Sequence, residues 1–240
     1  MAIIKLESDA QMTVKNPAID ILDKMYKRFE IAMAVFTPAC RQKCADCCTC
    51  NVTATGLEVA YLFSHLDKKE KQSVLDRVKN MPGNRRYRSG QTTNGFAHAC
   101  MTGAPVDEQD NDPAWGGCPF LEDNLCTVYR ARPFGCRSMM SQTRCQNGGH
   151  AQMPELALTI NTVFLQYIEH LDRNGVSGNF FDLAKAVSSF DLVLEKLQDS
   201  DKTELFIRNQ PIPALMVPPE HRGQVASLVK DLGALVRESG

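Results

Sequence analysis

Apolar side chains recur every three or four residues toward both ends of this sequence, and the rhythm is lost in the middle. The first stripe is Ile19, Leu22, Met25, Phe29, Met33 and Phe36, one face of a helix with a 3.6-residue period. Asn16 is placed to cap it and Pro17 suits its first turn, which predicts a helix over 16–36. Thr55-Gly-Leu-Glu58 has the form of a capping box and opens a short helix with Leu57, Ala60, Tyr61, Phe63 and Leu66 on its apolar face. Asp67-Lys-Lys-Glu70 reads as a second helix start, leading to Val74, Leu75 and Val78, and Asn80-Met-Pro-Gly83 ends it. Past Met153 come two more stripes. One is Leu156, Ile160, Val163, Phe164, Tyr167, Ile168 and Leu171, closed by Asn174-Gly175; the other is Phe181, Ala184, Val187, Phe190, Leu194 and Leu197. A proline-rich connection from Pro211 to Pro219 precedes a last helix carrying Val225, Leu228, Val229, Leu232 and Val236.

Between Asn84 and Cys145 no period survives. Turn-forming pairs take over: Ser89-Gly, Asn94-Gly, Thr102-Gly-Ala-Pro, Asn111-Asp-Pro and Trp115-Gly-Gly. A long structureless stretch is uncommon inside a compact domain and needs something to order it. Phe120 and Leu121 before Cys126, with Val128 and Tyr129 after it, suggest a small hairpin turning at Glu122-Asp-Asn124. The sequence has no internal repeat, and strands do not alternate with helices. The expected fold is mainly α, a single domain over 1–240. An N-terminal helix (16–36) and C-terminal helices (151–240) would pack around a metal-ordered, cysteine-rich loop core (37–150) with at most a small hairpin.

Sulfur is the candidate for what orders the middle. Five of the ten cysteines fall between Cys40 and Cys50, in the order Cys40-x3-Cys44-x2-Cys47-Cys48-x-Cys50. Thiolates two or three residues apart can converge on one soft metal ion or one iron–sulfur cluster. Cys44 and Cys47 form a CxxC knuckle aimed at one metal. Cys48, their neighbour on the turn, is expected to point elsewhere, toward a second set of ligands. Cys118, Cys126 and Cys136 supply a second block. Seven thiols exceed one tetrahedral site, so two metals or a cluster are expected. Cys145 is placed to add an eighth ligand, whereas Cys50 and Cys100 are expected as buried small hydrophobes. Arg41, Lys43, Arg130, Arg132, Arg137 and Arg144 lie within a few residues of these cysteines. They would offset thiolate charge and favour the deprotonated form, or stand as ordinary solvated charges. Trp115 is expected to pack against the site and limit solvent access.

Composition narrows the function. At 43% apolar residues the chain can build a real core, so metal is not expected to be its sole staple. A net charge of −1 gives no steering toward nucleic acid, and Arg85-Arg-Tyr-Arg88 is read as a short solvated basic run. No stretch approaches the roughly 20 apolar residues of a membrane span. The first ten residues carry acids early and lack the apolar run of a secretory signal. The expected compartment is therefore the cytoplasm, where clustered cysteines serve as metal ligands more than as disulfides. His98 and His150 stand alone in loops. No Ser-His-Asp order, paired-carboxylate pattern, phosphate loop or HExxH motif is present, so the residues themselves name no reaction.

The order of these motifs resembles a known family. Cys40, Cys44, Cys47 and Cys48 are followed by Cys118-Pro119-Phe120-Leu121, then Cys126, Val128-Tyr129, Arg132-Pro133 and Cys136-Arg137. This is similar to the CxxCxxCC (YkgJ-type) cysteine-cluster proteins, described as zinc- or iron-chelating, over about residues 38–140. The resemblance implies chelation of zinc or iron, with an iron–sulfur cluster among the forms, through Cys40, Cys44, Cys47, Cys48, Cys118, Cys126 and Cys136. The family also includes flagellin lysine-N-methylase, a much longer protein. A metal- or cluster-dependent protein-modifying enzyme is therefore one alternative, and a metal-ordered protein interaction module is another. The partner expected first is the metal ion or cluster, with a protein partner unidentified and neither membrane nor nucleic acid expected.

Overall fold

The computed structural model describes residues 16–81, 86–106, 111–145, 150–187 and 205–238. Among them the chain forms α1 (Pro17–Met33), α2 (Gly56–Ser64), α3 (Lys68–Lys79), α4 (Thr93–Thr102), α5 (Phe134–Arg137), α6 (Glu155–Leu171), α7 (Phe180–Val187) and α8 (Arg222–Arg237). Five short strands accompany them: β1 (Thr53–Thr55), β2 (Leu121–Glu122), β3 (Leu125–Cys126), β4 (Val176–Asn179) and β5 (Phe206–Arg208).

Helix starts follow the capping signals. The Asn16 side chain accepts from Ala18 N at 3.0 Å. In the Thr55 box, Thr55 N donates to Glu58 Oε2 (2.8 Å) and Glu58 N to Thr55 Oγ1 (3.2 Å). Asp67 and Glu70 form the same reciprocal pair at 2.9 and 2.8 Å. Each box satisfies donors that a helix end otherwise leaves unpaired. The second C-terminal stripe gives α7, while Phe190, Leu194 and Leu197 lie outside the described residues.

Two expectations need correction. The stretch from Asn84 to Cys145 contains a helix, α4. Thr92 caps it, accepting from Gly95 N at 3.0 Å, and Gly103 closes it in the left-handed region at φ 69°. Gly95 in its first turn and few large apolar residues erase the stripe that would have revealed it. The molecule also holds more sheet than a hairpin: β1, β4 and β5 form an antiparallel sheet in the order β1-β4-β5, with Ala54 opposite Gly178 and Gly178 opposite Phe206. Strands of three or four residues are too short to display a period of two. The expected hairpin does form, pairing Leu121 with Cys126. Asp123 and Asn124 both take positive φ (49° and 63°), as a two-residue turn matching strand twist requires.

The apolar core is mainly helical, and the cysteine-rich segment packs along it and contributes Cys50, Phe120, Val128 and Phe134 to it. Two fully buried phenylalanines pin that segment down. Phe134 of α5 enters between α1 and α6, edge-on to Phe29 at 4.8 Å and stacked with Phe164 at 5.7 Å. Phe120 meets Phe180 and Phe181 at 5.9 and 5.4 Å. Such ring pairs add about 0.5–1.5 kcal/mol each beyond the area they bury. No helix among the described residues is long and apolar enough to cross a membrane.

Candidate metal centre

The cysteine run leaves α1 in extended form and then turns twice. Ala39 N donates to Ser141 O at 2.8 Å, which ties the start of the run to the segment leading to Cys145. Lys43 adopts a left-handed φ of 69° in the first turn, closed by Cys44 N to Arg41 O at 2.9 Å. The second turn is closed by Cys48 N to Ala45 O, also at 2.9 Å. The run is then stitched to the second cysteine block. Cys118 N donates to Cys48 O (3.0 Å), Cys50 N to Gly116 O (2.9 Å), and Thr49 bridges Gly117 antiparallel. The hairpin delivers Cys126 beside Leu121, whose N–H binds Cys118 O at 3.3 Å.

Helix α5 carries Cys136. Its first N–H, from Phe134, donates to Glu58 Oε1 at 2.6 Å, and the same carboxylate takes the Tyr26 hydroxyl at 3.1 Å. Gly135 allows α5 to lie against β1, since a β-carbon there would come within 3.2 Å of the Thr53 carbonyl oxygen. Glu58 thus joins α1, α2 and α5. The sequence marked it only as a capping residue; its longer-range partners leave no local signature.

These contacts make Cys48, Cys118, Cys126 and Cys136 electrostatic neighbours. Burial pushes the Cys118 thiol up to about 11 and raises Cys126 and Cys136 as well. The neighbouring Cys47 and Cys48 thiols interact. Their interaction raises the Cys47 thiol and lowers that of Cys48. Cys48 also faces the second cysteine block, since it interacts with Cys118, Cys126 and Cys136 as well as with Cys47. All ten cysteines are free thiols. Cys50 is buried as expected, with Sγ 3.5 Å from Asn51 Oδ1. Cys100 is exposed, contrary to expectation, because α4 turns Asn94, Ala97 and Ala99 inward and leaves Cys100 on its outer face.

The donor set fits a metal–thiolate centre. Several thiolates gathered at the margin of a core need compensating positive charge, and the chain supplies it. Arg132 favours the thiolate form of Cys126 and Cys136, and its Nε is buried without a hydrogen-bond partner. Arg77, which sequence reasoning did not single out, does the same for Cys118 while donating to Pro119 O at 3.0 Å. Among the described residues, no three Cys, His, Asp or Glu side chains sit at the spacing of a coordination sphere; the thiols stand as neighbours, not as a finished cage.

The other expected residues have different employment. Arg137 donates to the carbonyls of Arg132 (2.9 Å) and Arg130 (2.7 Å) and covers the Tyr26 ring at 4.1 Å. Arg130 pairs with Glu70 at 2.7 Å. Arg41, Lys43 and Arg144 line a cavity of about 300 Å³ together with Cys40, Cys44, Asp46 and Cys145. Arg86 and Arg88 both bind Asp182, at 2.7 and 3.3 Å, so that part of the basic run anchors α7 and is not a free patch. Trp115 packs against the edge of the core, one turn before Cys118. His98 and His150 are exposed.

A mainly helical fold that gathers reduced thiols at its margin, with Arg77 and Arg132 near them, has the make-up of a cysteine-rich chelating domain. Residues 39–154 match the CxxCxxCC family, described as a putative zinc- or iron-chelating domain. The matched span holds every cysteine of the expected ligand set, and the resemblance read from the motif is borne out. No curated protein matches the chain, and no solved structure does.

Proposed function

We propose that this protein binds zinc or iron through the thiolates of Cys40, Cys44, Cys47, Cys48, Cys118, Cys126 and Cys136. The observation that carries this reading is the hydrogen bond from Cys118 N to Cys48 O. It joins two cysteine blocks seventy residues apart in sequence and brings four thiols into one electrostatic neighbourhood. An all-sulfur donor set suits Zn²⁺ and iron–sulfur clusters alike. A bound metal would hold these sulfurs as thiolates and supply positive charge, which the half-buried Cys48, Cys118, Cys126 and Cys136 need most. The helical core packs on its own apolar contacts, so the metal orders the cysteine-rich margin and does not found the fold. We place the protein in the cytoplasm, where its thiols stay reduced.

The test is metal content of protein purified without oxygen, by elemental analysis and visible spectroscopy. Cys48→Ser and Cys118→Ser are expected to lose most of the metal, whereas Cys50→Ser and Cys100→Ser keep it. Equal metal in all four variants, or none in the wild type, refutes the reading.

A further inference from the structure

A second cavity, of about 310 Å³, is lined by no cysteine. Its walls come from β1, β4 and β5, the start of α2, the first turn of α4 and the C-terminal half of α6. That volume is at the lower end of the range for small-molecule sites, about 300–1,000 Å³.

The lining combines buried negative charge with uncovered apolar surface. Glu58 and Glu169 both reach the cavity and are each 3% exposed. Their hydrogen-bond partners are neutral. Glu58 accepts from the backbone N–H groups of Thr55 and Phe134 and from the hydroxyls of Tyr26 and Thr55. Glu169 accepts from Asn94 N at 2.7 Å and Gln210 N at 2.8 Å. Such donors favour the ionised carboxylate without cancelling its charge, and burial raises both carboxyls. Among the described residues that line the cavity there is no Lys, Arg or His. Around these charges Leu165 and Ile207 are only half-buried, and Phe96 is 38% exposed.

We propose that this cavity binds a small alkylammonium ion, with the ammonium group drawn to Glu58 and Glu169 and the alkyl body against Leu165, Ile207 and Phe96. A buried charge is costly until it is paired, and a cation entering here supplies the pairing. The exposed Phe96 ring adds its own attraction for a cation. A bare metal ion does not suit the site. Among the described residues, no three Cys, His, Asp or Glu side chains stand at coordination spacing, and the carboxylate oxygens already accept backbone N–H groups. The proposal stands apart from thiolate chelation, since it uses none of the cysteines.

The experiment titrates full-length protein with n-butylammonium and follows backbone amide shifts by NMR. Butyrate and butan-1-ol serve as controls of similar size and different charge. Butylammonium is expected to shift the amides of residues 92–96 and 177–178 saturably, and the two controls are not. Phe96→Ala, at an exposed position, is expected to weaken binding about threefold or more by removing a ring that favours the cation. Thr93→Lys, at a half-buried lining position, sets the protein's own ammonium in the cavity and is expected to abolish binding. Equal saturable shifts with butyrate or butan-1-ol overturn the assignment of a cationic ligand. No saturable shift with butylammonium, or shifts undiminished in Thr93→Lys, overturn the site itself. Either failure leaves the metal content, and the chelation reading tested by it, unchanged.

Discussion

Arg132 presents a buried guanidinium nitrogen with no hydrogen-bond partner beside two thiols, an arrangement that benefits a charged centre more than a neutral one. Arg132→Met is expected to leave the stability of metal-free protein within about 1 kcal/mol of wild type. Losing the contact over the Tyr129 ring at 3.7 Å would be offset by removing an unsatisfied donor. Metal affinity is expected to fall about tenfold or more, the usual effect of removing a group that supports metal ligands. Chelator competition measures the second quantity and urea unfolding the first; a loss confined to stability would contradict the role. Asp172 gives a test away from the thiols. It caps α6 and accepts from Leu57 N at 3.1 Å and Asn209 Nδ2 at 3.0 Å, and burial pushes its carboxyl up to about 7. In the unfolded chain it titrates near 3.8. The folded form therefore retains a proton that the unfolded form releases between those values. Its contribution is full below about pH 4 and is lost as pH rises through about 7, by on the order of 4 kcal/mol at most. Urea unfolding from pH 4 to 7.5 should show this decline in wild type and a flatter profile in Asp172→Asn. At this scale the cysteines were legible because their meaning lies in their spacing. Arg77, Asp172 and the second role of Glu58 were not, because each acts through partners tens of residues away.

Among the elements, α5 is the one whose placement matters most and whose own length explains least. Four residues cannot hold a helix in place unaided. Its position comes from Phe134 in the core, from Gly135 against β1 and from the Glu58 carboxylate on its first N–H. Glu58→Ala is expected to cost about 3 kcal/mol, since it strands buried donors from Tyr26, Thr55 and Phe134. It should also weaken metal retention by displacing Cys136, although Glu58 is not itself an expected ligand; unchanged metal affinity in this variant would show that α5 is held some other way. The three N-terminal helices were readable because their caps are local chemistry: Asn16-Pro17, Thr55 with Glu58, Asp67 with Glu70. Helix α4 and the sheet were not, for a related reason. Thr92 and Gly103 were adequate end signals with no apolar stripe between them, and strands such as Thr53–Thr55 are fixed by pairing with Val176–Asn179, a partner the local sequence cannot announce.

For the molecule as a whole, the helical class followed from the stripes. The cysteine-rich segment shares one apolar core with the helices, anchored there by Phe120 and Phe134. It follows that removing metal should lower the melting temperature, because binding to the native state alone is lost, while the far-UV helical signal below the transition stays near its holo value. Collapse of that signal on chelation would mean the core cannot stand without metal. The central claim is that sulfur atoms from both cysteine blocks hold the metal. X-ray absorption at the metal edge of protein purified without oxygen tests it most directly. The nearest scatterers are expected to be mainly sulfur, at about 2.3 Å, with a sulfur count that falls when Cys118 and Cys126 are replaced by serine. A nearest shell of oxygen and nitrogen alone, or a sulfur count indifferent to those replacements, would contradict it.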